Sequence, residues 1–163
     1  MIRQDRIMWG KLGVTICRSW WKIYLVYLVV GITVFANGWG NELFWDDLDN
    51  FVNNKYVHSW EYLGNYFSEN LIAGSGLSSN YWRPMMLIVW SVGWSFWGEW
   101  GAGYRIVNLL LHVGCAVLVY QVLTKLFAKK WFGLVVGLIF VVHPLQTEAI
   151  TYASGISDPL SGV

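Results

Sequence analysis

The chain alternates long apolar blocks with short polar ones, and this blocked pattern points to helices rather than strands. Trp20 to Ala36 is the first block, and its uninterrupted part, Ile23 to Ala36, is 14 residues, or about 21 Å of helix at ~1.5 Å per residue. That length also fits a signal-peptide core with Ala36 near a cleavage site. Trp20, Trp21 and Cys17-Arg18-Ser19 lengthen it, Lys22 can snorkel to the surface, and more apolar blocks follow, so an uncleaved helix is expected. Asn37-Gly38-Trp39-Gly40-Asn41 is turn chemistry that ends it. Residues 41–83 then form an aromatic-rich loop with short helical stretches such as Ser59 to Phe67, and Gly74-Ser75-Gly76-Leu77-Ser78-Ser79-Asn80 reads as flexible. Pro84 suits the first turn of a helix over Met85 to Trp97, a run of 13 residues that is too short to cross a bilayer. Gly103 to Phe127 is a second span, and Trp131 to Leu145, continuing to about Ile150, is a third with Pro144 ending or kinking it.

Composition turns these blocks into a membrane protein. The 163 residues are 56% hydrophobic and 13% charged, with mean hydropathy +0.43, whereas soluble chains carry about 25% charged residues. The 12 Trp and 9 Tyr suit the lipid–water boundary. A net charge of +1 provides no overall field for nucleic acid. Cys17 and Cys115 lie in or beside different apolar blocks without metal spacing and read as packing residues.

Local charge gives the topology. Residues 1–22 hold five Lys/Arg against one Asp, residues 39–83 hold six Asp/Glu against two Lys/Arg, and residues 125–130 hold three Lys. The positive-inside rule puts residues 1–19 in the cytoplasm. If Met85 to Trp97 crossed, Lys125, Lys129 and Lys130 would lie outside; as a juxtamembrane helix it leaves them inside. The expected fold is an all-α membrane protein with about three transmembrane helices (20–36, 103–127 and 131–150) and juxtamembrane helices in a large first extracytoplasmic loop, 37–102.

On this layout Asp46, Asp47, Asp49, Arg83, Arg105, His143, Glu148 and Asp158 meet one outer face from four segments. Ionisable groups so close to hydrocarbon are expensive and need a reason. Arg105, Asn108 and His112 are spaced i, i+3, i+7 and share a helix face that should point into the protein. Asp46 and Asp47 are candidate general bases that sequence does not separate; an N-cap or solvated cluster is the plainer alternative. Asp49 reads as loop surface. Adjacent acids leave room for a divalent cation, but two neighbouring aspartates lack the spacing of a dedicated site, and no metal is assigned. Arg83 and Arg105 are candidates for a phosphate, against an interfacial anchor for the former and a bundle-interior role for the latter. His143 and Glu148, five apart beside a proline, either pair with one another or cap helices. Trp45 and Trp82 read first as part of the interfacial aromatic belt.

Trp45-Asp46-Asp47, Tyr81-Trp82-Arg83-Pro84-Met85, Tyr104-Arg105-Ile106-Val107-Asn108-Leu109-Leu110-Leu111-His112 and His143-Pro144-Leu145-Gln146-Thr147-Glu148-Ala149-Ile150 occur in this order. Over roughly residues 22–160 they resemble the GT-C membrane glycosyltransferases, specifically the transmembrane O-mannosyltransferase type with C-terminal tetratricopeptide repeats. The resemblance implies a multi-span helical fold and transfer of a sugar, mannose-like, from a polyprenyl-phosphate donor to a protein or glycan hydroxyl on the extracytoplasmic side. It maps the family's acidic pair onto Asp46 and Asp47 and its outer acidic position onto Asp158. Where the family has a basic or Arg-Ala-Asp-like segment, this chain has Ser154-Gly155-Ile156-Ser157-Asp158. The family runs on through further spans and repeats, so a fragment is expected, inactive alone. The expected compartment is a bacterial plasma membrane with the site outward, or the endoplasmic reticulum in a eukaryote. A non-catalytic scaffold or anchor, or a transporter fragment, is the alternative; transporters place their sites near mid-membrane, whereas the polar groups here crowd one surface.

Overall fold

The computed structural model describes residues 20–162, without the side chains of Asp158 and Ser161. The basic lead of residues 1–19 and Cys17 lie outside the described residues. All regular elements among the described residues are helical. In chain order they include α1 (Trp20–Val34), α2 (Lys55–His58), α3 (Leu63–Ser68), α4 (Pro84–Trp97), α5 (Gly101–Phe127), α6 (Lys130–Val142), α7 (Thr147–Thr151) and α8 (Ser157–Gly162), with short 3₁₀ and π turns between.

α5 is the axis. Its 27 residues include an 18-residue window of mean hydropathy 2.0, and at ~1.5 Å per residue it reaches about 40 Å, beyond the roughly 30 Å of bilayer hydrocarbon. α6 and the Pro144–Thr151 stretch pass the same test only together, across a 52° bend. α1 and α4 are shorter apolar helices. Length and composition thus give one unbroken candidate span and one bent one, against the three expected from the pattern.

α1, α5 and α6 pack around Tyr27, Leu109, Val113, Ala116, Val117 and Val141. The close approach depends on a small residue: a Cβ at Gly137 would collide with the Tyr27 hydroxyl, which donates to the Leu134 carbonyl at 2.8 Å. Arg105, Asn108 and His112 are all buried, as their spacing requires. Cys115 is free and buried, in keeping with a packing residue.

Residues 41–100 form a cap over one end of this bundle, with a core of Phe51, Tyr56, Tyr66, Leu87, Trp90 and Tyr104 among others. Phe51 anchors it, its ring 5.1 Å from Trp90 and 4.4 Å from Tyr104. The stretch expected to be flexible begins as packed structure. Gly74 is buried, and a Cβ there would strike Asn54 and Tyr56. Asn54 is itself buried, caps α2 by accepting from the Tyr56 amide at 3.2 Å and donates to the Leu71 carbonyl at 3.1 Å. The glycine is there for close approach, not for freedom.

Candidate functional site

The acidic segment enters the cap through a strained residue. Trp45 has φ 51°, a left-handed conformation that costs a non-glycine residue about 1–3 kcal/mol. Beyond this kink the two adjacent aspartates part company: Asp46 is exposed and Asp47 fully buried.

Asp47 faces the returning chain. Its carboxylate accepts from the Ala153 amide at 3.3 Å and the Ser154 amide at 2.8 Å. Those amides begin the 3₁₀ turn Ala153–Ile156, so Asp47 acts as an N-cap supplied from more than 100 positions away. Arg105, from α5, donates to the carbonyls of Thr151 at 2.7 Å, Glu42 at 2.9 Å and Asn41. Asn108, one turn further along α5, donates to the Tyr152 carbonyl at 2.7 Å. The Phe44 ring lies 4.8 Å from that of Tyr152. Three buried polar side chains therefore grip four consecutive residues, 151–154.

The gripped segment forms one wall of a cleft of about 720 Å³. This wall carries Glu148, Tyr152, Ser154, Gly155 and Ser157; a second carries Trp45, Asp46, Asp49 and Asn50; the third carries Ile72, Ser79, Tyr81, Arg83, Met86 and Trp90. Asp49, expected on the loop surface, is half-buried in the lining and accepts from the Asn53 amide group at 3.3 Å. Arg83 is exposed, with its guanidinium 5.0 Å above the Tyr81 ring.

The structure thus brings Asp46, Arg83 and Glu148 into one cleft and sets Asp47 and Arg105 behind its wall. His143 is absent from the lining: its Nδ1 accepts from the Leu145 amide at 3.2 Å and caps the 3₁₀ turn that opens at Pro144. The Asp158 side chain lies outside the described residues; its backbone is in α8, which follows the gripped wall. No cluster of three or more His, Cys, Asp or Glu arranged to hold a metal occurs among the described residues.

Sequence reasoning missed Asn50, Trp90 and Ser154. One signal was available: Arg83, Met86 and Trp90 follow one another at i, i+3 and i+7, the spacing of one helix face. Trp90 is buried, and its Nε1 is without a hydrogen-bond partner among the described residues.

Comparison with known proteins adds homology to this geometry. The chain is 30% identical over 154 residues to the human protein O-mannosyl-transferase TMTC4, covering 83% of this chain and 21% of that protein. It is 28% identical over 143 residues to the protein O-mannosyl-transferase tmtc2 of Xenopus laevis, covering 85% and 17%. It is 33% identical over 101 residues to the protein O-mannosyl-transferase Tmtc1 of Drosophila melanogaster, covering 62% and 12%. The chain therefore spans about a fifth or less of the length of these relatives. No family model and no solved structure matches it.

Proposed function

Homology to the protein O-mannosyl-transferases named TMTC runs over most of this chain, and from it we propose that the chain forms part of a membrane glycosyltransferase. The reaction is transfer of a mannose-like sugar from a polyprenyl-phosphate donor to a hydroxyl of a protein or glycan. The membrane reading takes α1, α5 and the bent α6–α7 pair as three crossings. Lys125, Lys129 and Lys130 then lie on the cytoplasmic side and the cleft on the other. The site faces outward from a bacterial plasma membrane or, in a eukaryotic host, into the endoplasmic reticulum.

The observation that carries the chemistry is the split between the two aspartates. A general base must reach the proton that it removes. Asp46 is exposed in the cleft, whereas both carboxylate oxygens of Asp47 are engaged with backbone amides. Asp46 is therefore the base. It takes the acceptor's hydroxyl proton as that oxygen bonds to the anomeric carbon of the sugar. The bond from this carbon to the phosphate oxygen breaks, and the leaving phosphate keeps the electron pair. Arg83, in the same lining, is the group that would hold that phosphate through bidentate hydrogen bonds. Asp47 and Arg105 are positioning residues that fix the wall bearing Glu148 and Ser154. Asp158 stays in the site on the strength of the family pattern, and a divalent cation is not required by this scheme.

The test is Asp46→Asn in the full-length protein, assayed with a polyprenyl-phosphate mannose donor. The rate should fall by about 10²–10⁴-fold, the usual value of a general base, with membrane insertion and thermal stability unchanged. Undiminished transfer would sink the assignment. Asp47→Asn should instead lower activity together with protection of residues 151–157 from proteolysis.

A further inference from the structure

Trp45 has no task in the reaction scheme above, and the fold holds it at a double disadvantage. Its backbone sits at φ 51°, where a bulky residue is disfavoured and glycine or asparagine is at ease. Its side chain is 77% exposed and enters no hydrogen bond, ring pair or cation contact among the described residues. Phe96 and Trp131 are as exposed, but they stand on the apolar helices α4 and α6, where a lipid-facing aromatic is ordinary. Trp45 stands instead on the turn that opens the acidic segment, and it lines the cleft beside Asp46. Nothing inside the fold recovers either cost.

The surroundings define the ligand that would. Around Trp45 the lining offers the hydrogen-bonding groups of Asp46, Asp49 and Asn50, with Ser79 and Ser154 on the other walls. A flat aromatic ring bordered by carboxylate, amide and hydroxyl groups matches a pyranose. One face of such a sugar carries C–H groups that pack on the ring, and the hydroxyls at its edge meet the polar groups. An acyl chain would leave those polar groups unanswered. Position points the same way. With Asp46 as base, the attacking oxygen lies about 2.6–3.2 Å from the carboxylate and about 3–3.5 Å from the anomeric carbon. The sugar in transfer therefore comes within about 7 Å of that carboxylate, in reach of the adjacent side chain.

We propose that Trp45 is the platform on which the pyranose of the lipid-linked donor stacks in the cleft. The proposal rests on the glycosyltransferase reading for the identity of the donor, while its binding test stands apart from transfer.

The experiment uses the full-length protein in detergent and two radiolabelled lipids, polyprenyl-phosphate mannose and the same polyprenyl phosphate without the sugar. Trp45→Leu and Trp45→Asn should each weaken binding of the mannosylated lipid about fivefold, the size of one good aromatic contact, and leave the sugarless lipid unaffected. Trp45→Tyr, which keeps a ring, should retain most of the affinity. In the transfer assay KM for the donor should rise by the same factor with kcat within about twofold, because the stack is made before and during reaction alike. Trp45→Asn relieves the left-handed backbone, so its thermal unfolding midpoint should hold or rise while its affinity falls; a lowered midpoint overturns the proposal in favour of a role in the fold. Equal weakening of the two lipids overturns it in favour of the membrane boundary, and unchanged binding of the mannosylated lipid overturns it outright. Sugar-dependent loss of binding in a protein that transfers no mannose sustains the platform while removing the reaction assigned above.

Discussion

The cap and the helix bundle solve the burial of polar groups differently. In the cap, buried polar side chains are used locally: the Tyr66 hydroxyl donates to the Tyr56 carbonyl at 2.7 Å and lies 2.7 Å from Ser91 Oγ, and Asn54 bonds at both ends of its amide. In the bundle, Arg105 and Asn108 reach out of α5 into loops, while Asn108 Oδ1, His112 Nε2 and Thr124 Oγ1 have no partner among the described residues. The cap is thus held mostly by its own bonds, and α5 directs Arg105 and Asn108 onto the returning segment at residues 151 and 152. Rigidity at the cleft comes from below, from α5, as much as from the loop that carries the acids.

The sharpest break of that contrast is Arg105→Met. It leaves the carbonyls of Thr151, Asn41 and Glu42 without their donor, and each buried acceptor left unsatisfied costs about 1–3 kcal/mol. Thermal unfolding in detergent should show that loss, and limited proteolysis should open at residues 151–157 before the cap core. Gly137→Val tests the bundle alone. The new side chain meets the Tyr27 hydroxyl, and overpacking costs about 1–3 kcal/mol. Thermal unfolding should report it while proteolytic protection of residues 151–157 changes little. The smallest effect is in the cap. Hydrogen bonds from Tyr56 at 2.7 Å and from Asn65 at 2.8 Å hold the Glu69 carboxyl below its ordinary value of 4.5. A depressed carboxylate contributes stability above that value and loses it as pH falls through its folded pKa. Unfolding followed from pH 7 to 3 should therefore show a small acid-side loss that Glu69→Gln flattens. A loss of equal size in the variant would assign it elsewhere.

Much of this was legible in the sequence, for identifiable reasons. The i, i+3, i+7 stripe of Arg105, Asn108 and His112 announced a buried face because helical spacing is a local property. The meeting of the acidic segment with the chain after His143 followed from where the apolar blocks ended. What separated Asp46 from Asp47 was not legible, since their burial is decided by amides at 153 and 154. Trp90 was hidden for a related reason. A tryptophan in an apolar, aromatic-rich helix looks like core, and its unpaired N–H appears only once the neighbouring segments are in place. His143 follows the capping alternative, because an imidazole beside a proline serves as a local cap as readily as a ligand.

The interruption at Tyr152 has a consequence for how this site must be built. An unbroken helix from Thr147 onward would have consumed the N–H groups of Ala153 and Ser154 in its own ladder, with nothing left over for a visitor. Tyr152 takes an extended backbone, φ −80° and ψ 136°, and the chain restarts with those amides unspent. Any substitution that heals the helix at that joint would evict the carboxylate of Asp47 and reshape the cleft that this segment lines.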